Sequence, residues 1–113
     1  MGEAVAYGEG RKLQAGWVTT DQVPLAGPDT YYPGMELEYD ATNDEYIALV
    51  TDANVAAIYN GEEQVLAADG FGDCIMAGEI NESGLVDASN VAKTLTEDQR
   101  ATRRNRNFYI KRV

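Results

Sequence analysis

Residues 35–51 read MELEYDATNDEYIALVT, and this stretch decides the fold class. Met35, Leu37 and Tyr39 alternate with Glu36, Glu38 and Asp40, the period of two that puts one face of a strand in a core and the other in water. Asp40, Ala41, Thr42, Asn43 and Asp44 are turn formers, and Glu45–Thr51 is an apolar run suited to a second, more buried strand, so the stretch predicts a hairpin. Pro33 and Gly34 mark a turn just before it.

The β character continues on the C-terminal side of this hairpin. Asn54–Tyr59 predicts a third strand that ends at the turn pair Asn60 and Gly61, and Gln64–Ala68 predicts a fourth. Phe71–Met76 and Gly78–Ile80 predict further short strands, their glycines marking bulges or close backbone approach. The pattern then changes. Thr96, Glu97, Asp98 and Gln99 form a capping-box sequence, with acids in the first helical turn and arginines in the last. Asn105 or Asn107 can stop the helix in a left-handed conformation, and Phe108–Val113 alternates as a closing strand. The expected fold is α+β and mostly β: a small mixed sheet or barrel-like domain over residues 31–113 with one short C-terminal helix.

Residues 1–30 read differently. Gly2, Gly8, Gly10, Gly16 and Gly27 recur, Pro24 and Pro28 interrupt, and apolar residues show no period, which predicts a flexible N-terminal arm that is dispensable for folding. Within it, Gly16, Trp17, Val18, Thr19 and Thr20 have the aromatic and β-branched character of a strand awaiting an edge. Trp17 either packs back on its own domain or anchors a partner.

At 113 residues the chain has the size of one domain, and its net charge is −10. From Leu13 to Ala92 there are fifteen acidic residues and no basic one, while Arg100–Val113 carries six basic residues and no acid. The acidic body repels phosphate backbones, so no nucleic-acid partner is expected. Arg100, Arg103, Arg104 and Arg106 are expected to form a solvated helix end that complements the helix dipole. The separation of charge favours contact between the basic end of one copy and the acidic body of another, which points to self-assembly. Arg103, Arg104, Lys111 and Arg112 are the candidate assembly residues.

The usual chemistry of enzymes is missing. There is no histidine, hence no triad base and no common metal ligand. The single cysteine, Cys74, allows neither an intrachain disulfide nor a zinc site, and its place beside Ile75 and Met76 predicts a core residue. Gly70, Phe71 and Gly72 start like a dinucleotide fingerprint, but Ile75 stands where the third glycine belongs and no helix follows. Carboxylate pairs such as Glu36 with Glu38, or Asp69 with Asp73, leave a two-acid hydrolase to be considered, although fifteen acids produce such pairs by chance. No stretch approaches the roughly 20 apolar residues of a membrane span. Asn81, Glu82 and Ser83 match a glycosylation sequon, read here as a loop. No catalysis, cofactor, metal, membrane or small-molecule substrate is expected.

The succession of the strand around Pro33–Asp40 (PGM, LEYD), the strand around Tyr46–Asp52 (ALVTD), the AGEIN segment at Ala77–Asn81, the LTEDQR helix start at Leu95–Arg100 and the terminal FYIKRV at Phe108–Val113 resembles the lambda-type phage head decoration proteins. The resemblance covers residues 31–113 and rests on element order and length; the family usually has glycine where this chain has Asn107. It implies a structural virion protein, made in the host cytoplasm, that binds the major capsid protein on the outer capsid surface as homotrimers at threefold sites and stabilises the expanded head. The arm and C-terminus would face the shell, with Gly16, Trp17, Val18, Thr19, Thr20, Pro33 and Gly34 as capsid-binding candidates. A small non-catalytic β-barrel-like adaptor subunit of a larger bacterial complex would share the same pattern.

Overall fold

The computed structural model describes residues 6–7 and 11–112 and contains, among them, the strands β1 (Ala6–Tyr7), β2 (Arg11–Lys12), β3 (Gln14–Leu25), β4 (Asp29–Tyr31), β5 (Glu36–Asp40), β6 (Glu45–Ala48), β7 (Val55–Tyr59), β8 (Gln64–Leu66), β9 (Gly70–Asn81) and β10 (Phe108–Lys111). One helix, α1 (Glu97–Arg104), precedes β10, and single 3-10 turns precede β7 and follow β9. The mostly-β α+β expectation stands. The sheet order is β10-β9-β3-β6-β5-β7, and a further pairing of β7 with β9 closes five of these strands into a ring. Two pairings, β10 with β9 and β3 with β6, are parallel, and the rest of this sheet is antiparallel. β4 and β8 form a separate two-stranded ribbon.

The predicted hairpin is β5 and β6, joined where Asp40 accepts hydrogen bonds from the Thr42 backbone and the Asn43 amide. Asp44 takes the left-handed conformation, with φ of 54°, that short polar residues tolerate. Two details differ from the alternation. Glu36 is buried, because other side chains cover the outer face of β5 there, and Tyr39 is exposed at the end of the barrel, where its hydroxyl donates to Asp44. β6 is only half-buried along its length.

β7 and β9 explain why their sequences read as apolar runs instead of clean alternation. Ala57, Tyr59 and Cys74 face one core cluster with Val23, Leu25, Tyr31, Met35, Leu37 and Val86. Ile58 and Ile75 face a second cluster with Leu13, Ile80, Leu85, Leu95 and Phe108. A strand buried on both faces needs apolar side chains in both directions. Cys74 and Ile75 are therefore core residues as expected, and burial pushes the Cys74 thiol up to about 12, so it stays protonated at neutral pH. The two short strands expected over Phe71–Ile80 are one continuous β9, irregular in register opposite Gln14–Thr20. Gly78, at φ of 138°, lies between the two register shifts, and a side chain there would overlap the Trp17 carbonyl. Asn60 and Gly61 do turn the chain, but β7 and β8 do not pair, because both edges of β7 are taken by β5 and β9.

The arm expectation needs its largest correction here. Residues 14–25 are not an arm: β3 is a central strand, antiparallel to β9 from Gln14–Ile80 to Leu25–Gly70, with Leu13, Val23 and Leu25 in the core. The strand character expected of Gly16–Thr20 finds its edge in β9 of its own sheet, and the aperiodic residues around it are made regular by the same pairing. Residues 29–31 form β4. The expectation for residues 1–5 and 8–10 lies outside the described residues.

Candidate binding and assembly surfaces

The segment Gly16–Thr20 lies in β3 where its register against β9 shifts. Val18 turns toward the second core cluster, Thr19 and Thr20 face solvent, and Trp17 remains 52% exposed. Trp17 is neither buried in its own domain nor isolated. Its ring lies 6.2 Å from that of Tyr109, tilted by 53°, across the strand that separates β3 from β10. Glu79 of that strand extends its carboxylate over Gly16. The result is an open aromatic pair at the sheet margin, with β10 as the last strand.

Pro33 and Gly34 are elsewhere in function. Gly34, at φ of 90°, donates to the Tyr59 carbonyl at 2.8 Å and accepts from Val86 at 3.1 Å, and a Cβ would overlap the Gly84 carbonyl. It is buried under the 84–86 segment, so its role as a contact residue is corrected to that of a structural turn.

The C-terminal arginines are likewise redistributed. α1 begins with the predicted capping box: the Gln99 amide donates to Thr96 Oγ1 at 3.2 Å, and Thr96 N–H donates to Gln99 Oε1 at 2.8 Å. Yet the buried face of this helix is not apolar; it consists of Arg100 and Arg103. Arg103 is 0% exposed and donates to both Glu36 oxygens, at 2.7 and 2.9 Å, and to both Asp52 oxygens, at 2.7 and 3.0 Å. Lys93 adds a 2.6 Å bond to Glu36. Arg103 is thus an internal clamp and not an assembly residue or a solvated helix end. The physical reason is that Glu36 sits on the buried outer face of β5, where an ionised carboxylate needs a cation at hand. The same hydrogen bonds hold the Asp52 carboxyl below its usual range and raise the Arg103 guanidinium, whose burial works in the opposite sense.

Arg100 repeats the scheme: it donates to Glu97 at 2.6 Å and to the Leu95 carbonyl at 2.6 Å, and lies 3.5 Å from Glu82. Arg104, Arg106, Lys111 and Arg112 stay on the surface, Arg106 donating to the Ala53 carbonyl and Arg112 lying 3.8 Å from Glu82. Asn107, at φ of 69°, provides the left-handed residue before β10.

Three of the four carboxylates considered for hydrolysis have structural partners. Glu36 belongs to the ion cluster, Glu38 accepts the Val50 and Thr51 amides, and Asp69 accepts the Gly27 amide. An open cleft is lined by Glu82, Ser83, Ala92, Lys93, Thr94 and Arg112. Its Lys93 and Arg112 cations already face Glu36 and Glu82. Among the described residues, no group of three or more His, Cys, Asp or Glu side chains is placed to hold a metal ion, and no helix is long and apolar enough to cross a membrane.

The chain matches no family model and no curated protein sequence.

Two surface features therefore offer themselves for recognition: the Trp17–Tyr109 pair, and a basic margin formed by Arg104, Arg106, Lys111 and Arg112 along α1 and β10. Sequence reasoning singled out Trp17 but missed Tyr109, because nothing local shows that two residues 92 positions apart flank the same strand. It missed Glu36, Asp52 and Lys93 for the same reason. The available signal was Glu36 itself, an acid directly beside the apolar Met35 and Leu37 in a chain with few cations.

Proposed function

We propose that this chain is a structural protein of a phage head, which binds the outer surface of the capsid as a trimer at threefold sites and stabilises the expanded shell. The observation that supports it is the half-exposed Trp17, held on a central strand and backed by Tyr109, whereas Val18, Val23 and Leu25 of the same strand pack on the core. A rigid aromatic at a surface margin is the kind of residue that dominates interface energetics. The element order over residues 31–113 adds the resemblance to lambda-type decoration proteins.

In this reading Trp17, Thr19 and Thr20 meet the capsid protein, and Arg104, Lys111 and Arg112 serve assembly. The acidic remainder faces solvent and keeps a particle with many copies soluble. The protein would be made in the host cytoplasm and end on the outer surface of the virion. The test is to mix the protein with expanded heads that lack decoration and look for added density at threefold positions. Saturable binding that Trp17→Ala weakens at least tenfold supports the reading. Heads that take up no protein, or take up Trp17→Ala equally well, overturn it.

A further inference from the structure

β10 and β8 are complementary in charge and lie at opposite ends of β9. β9 starts at Gly70, separated from β8 by three residues, and ends at Asn81, opposite Lys111 of β10. β10 has one hydrogen-bonded neighbour, β9, and β8 has one, β4, so among the described residues each leaves one strand edge without a partner strand. On β10 the exposed Tyr109 is followed by the exposed Lys111 and Arg112. On β8 the exposed Val65, 75% accessible, is preceded by the exposed Glu62 and Glu63 and followed by Asp69.

We propose that the free edge of β10 in one copy pairs antiparallel with the free edge of β8 in a second copy. This inference rests on the trimeric reading above and names its seam. Setting Val65 opposite Tyr109 brings Glu63 opposite Lys111 and Glu62 opposite Arg112, since antiparallel partners move in opposite directions along their chains. One apolar cross-strand pair and two ion pairs then share the seam, the combination that stabilises antiparallel neighbours. Like edges lack this match: with Tyr109 opposite Tyr109, Arg112 meets Arg106, and with Val65 opposite Val65, Glu63 and Glu62 meet Ala67 and Ala68 with no cation to pair. Edge charge of this kind prevents indiscriminate strand addition while admitting the complementary edge. Because the two surfaces differ, the contact is heterologous: its repetition closes a ring where the rotation between copies is a whole fraction of a turn, a third of a turn in the trimer, and otherwise extends a filament.

The experiment uses the full chain and charge reversal. Sedimentation velocity and light scattering are recorded at low and raised salt for the wild type, for Lys111→Glu with Arg112→Glu, for Glu62→Lys with Glu63→Lys, and for all four together. All four positions are exposed, and circular dichroism with thermal melting checks that each variant is folded. The wild type should be a trimer that dissociates as salt rises. Each two-site variant should be monomeric, and the four-site variant, which restores opposite charges with the signs exchanged, should be trimeric again. A wild type that is monomeric throughout, two-site variants that assemble like the wild type, or a four-site variant no better than either pair would overturn the seam. Head binding is scored separately. A chain that assembles by this rule but ignores heads leaves the seam standing and removes the capsid reading, whereas a chain that decorates heads with a trimer indifferent to these charges does the reverse.

Discussion

Replacing Arg103 by alanine should be the most damaging single change available at a charged position. The Arg103 side chain is fully buried and makes four hydrogen bonds to the carboxylates of Glu36 and Asp52, plus one to the Gln99 carbonyl. Glu36 is itself 2% exposed, so the variant leaves an ionised carboxylate in the interior with Lys93, among the described residues, as its remaining cation. Removing one partner of a buried pair costs about 3–5 kcal/mol, against a total stability of about 5–15 kcal/mol for a domain. Because Lys93 persists, the lower end applies, about 3 kcal/mol, and at about 4 °C per kcal/mol for a chain of this length the melting temperature should fall by about 12 °C. Thermal melting by circular dichroism and urea titration both read this directly. Arg104→Ala, one residue on and exposed, is the control and should stay within about 0.5 kcal/mol of the wild type. If Arg103→Ala lies within about 1 kcal/mol of that control, the ion cluster does not hold α1 on the barrel and the reasoning fails.

Three further outcomes are expected. Ile75→Asp places an unpaired charge in the second core cluster at a cost of several kcal/mol, so its circular dichroism at room temperature should be that of an unfolded chain; a retained melting transition would contradict the burial assigned to β9. Deleting residues 1–22 removes Leu13 and most of β3, and the product should be unfolded or insoluble, whereas a cooperative melt would show that β3 is not part of the sheet's framework. Asp52 has a lowered folded-state pKa, so its contribution is fully present above the ordinary carboxyl range and is lost as pH falls through the folded value; Asp52→Asn should therefore lose less melting temperature than the wild type between pH 7 and about pH 3, and equal losses would refute the assignment.

Whatever depends on neighbours along the chain can be read from the residues alone. The β5–β6 hairpin follows from the alternation at 35–40 and the Asp40–Asp44 turn, and the capped α1 follows from Thr96 and Gln99, because dihedral preferences and local hydrogen bonds act within a few residues. A left-handed stop at Asn105 or Asn107 was legible for the same reason, and the structure places it at Asn107. The strand character of Gly16–Thr20 shows in its aromatic and β-branched residues, but its extension over Gln14–Leu25 and its place at the centre of the sheet come from pairing with β9, which no local pattern indicates. Tertiary structure also decided the fate of the charges. A run of arginines after a run of acids reads as a solvated tail, and nothing local indicates that α1 turns Arg100 and Arg103 inward onto Glu82, Glu36 and Asp52, up to 67 residues away. Burial changes the meaning of a charge: in water a guanidinium needs no particular partner, but inside a protein it must find one, and only the fold brings that partner within 3 Å.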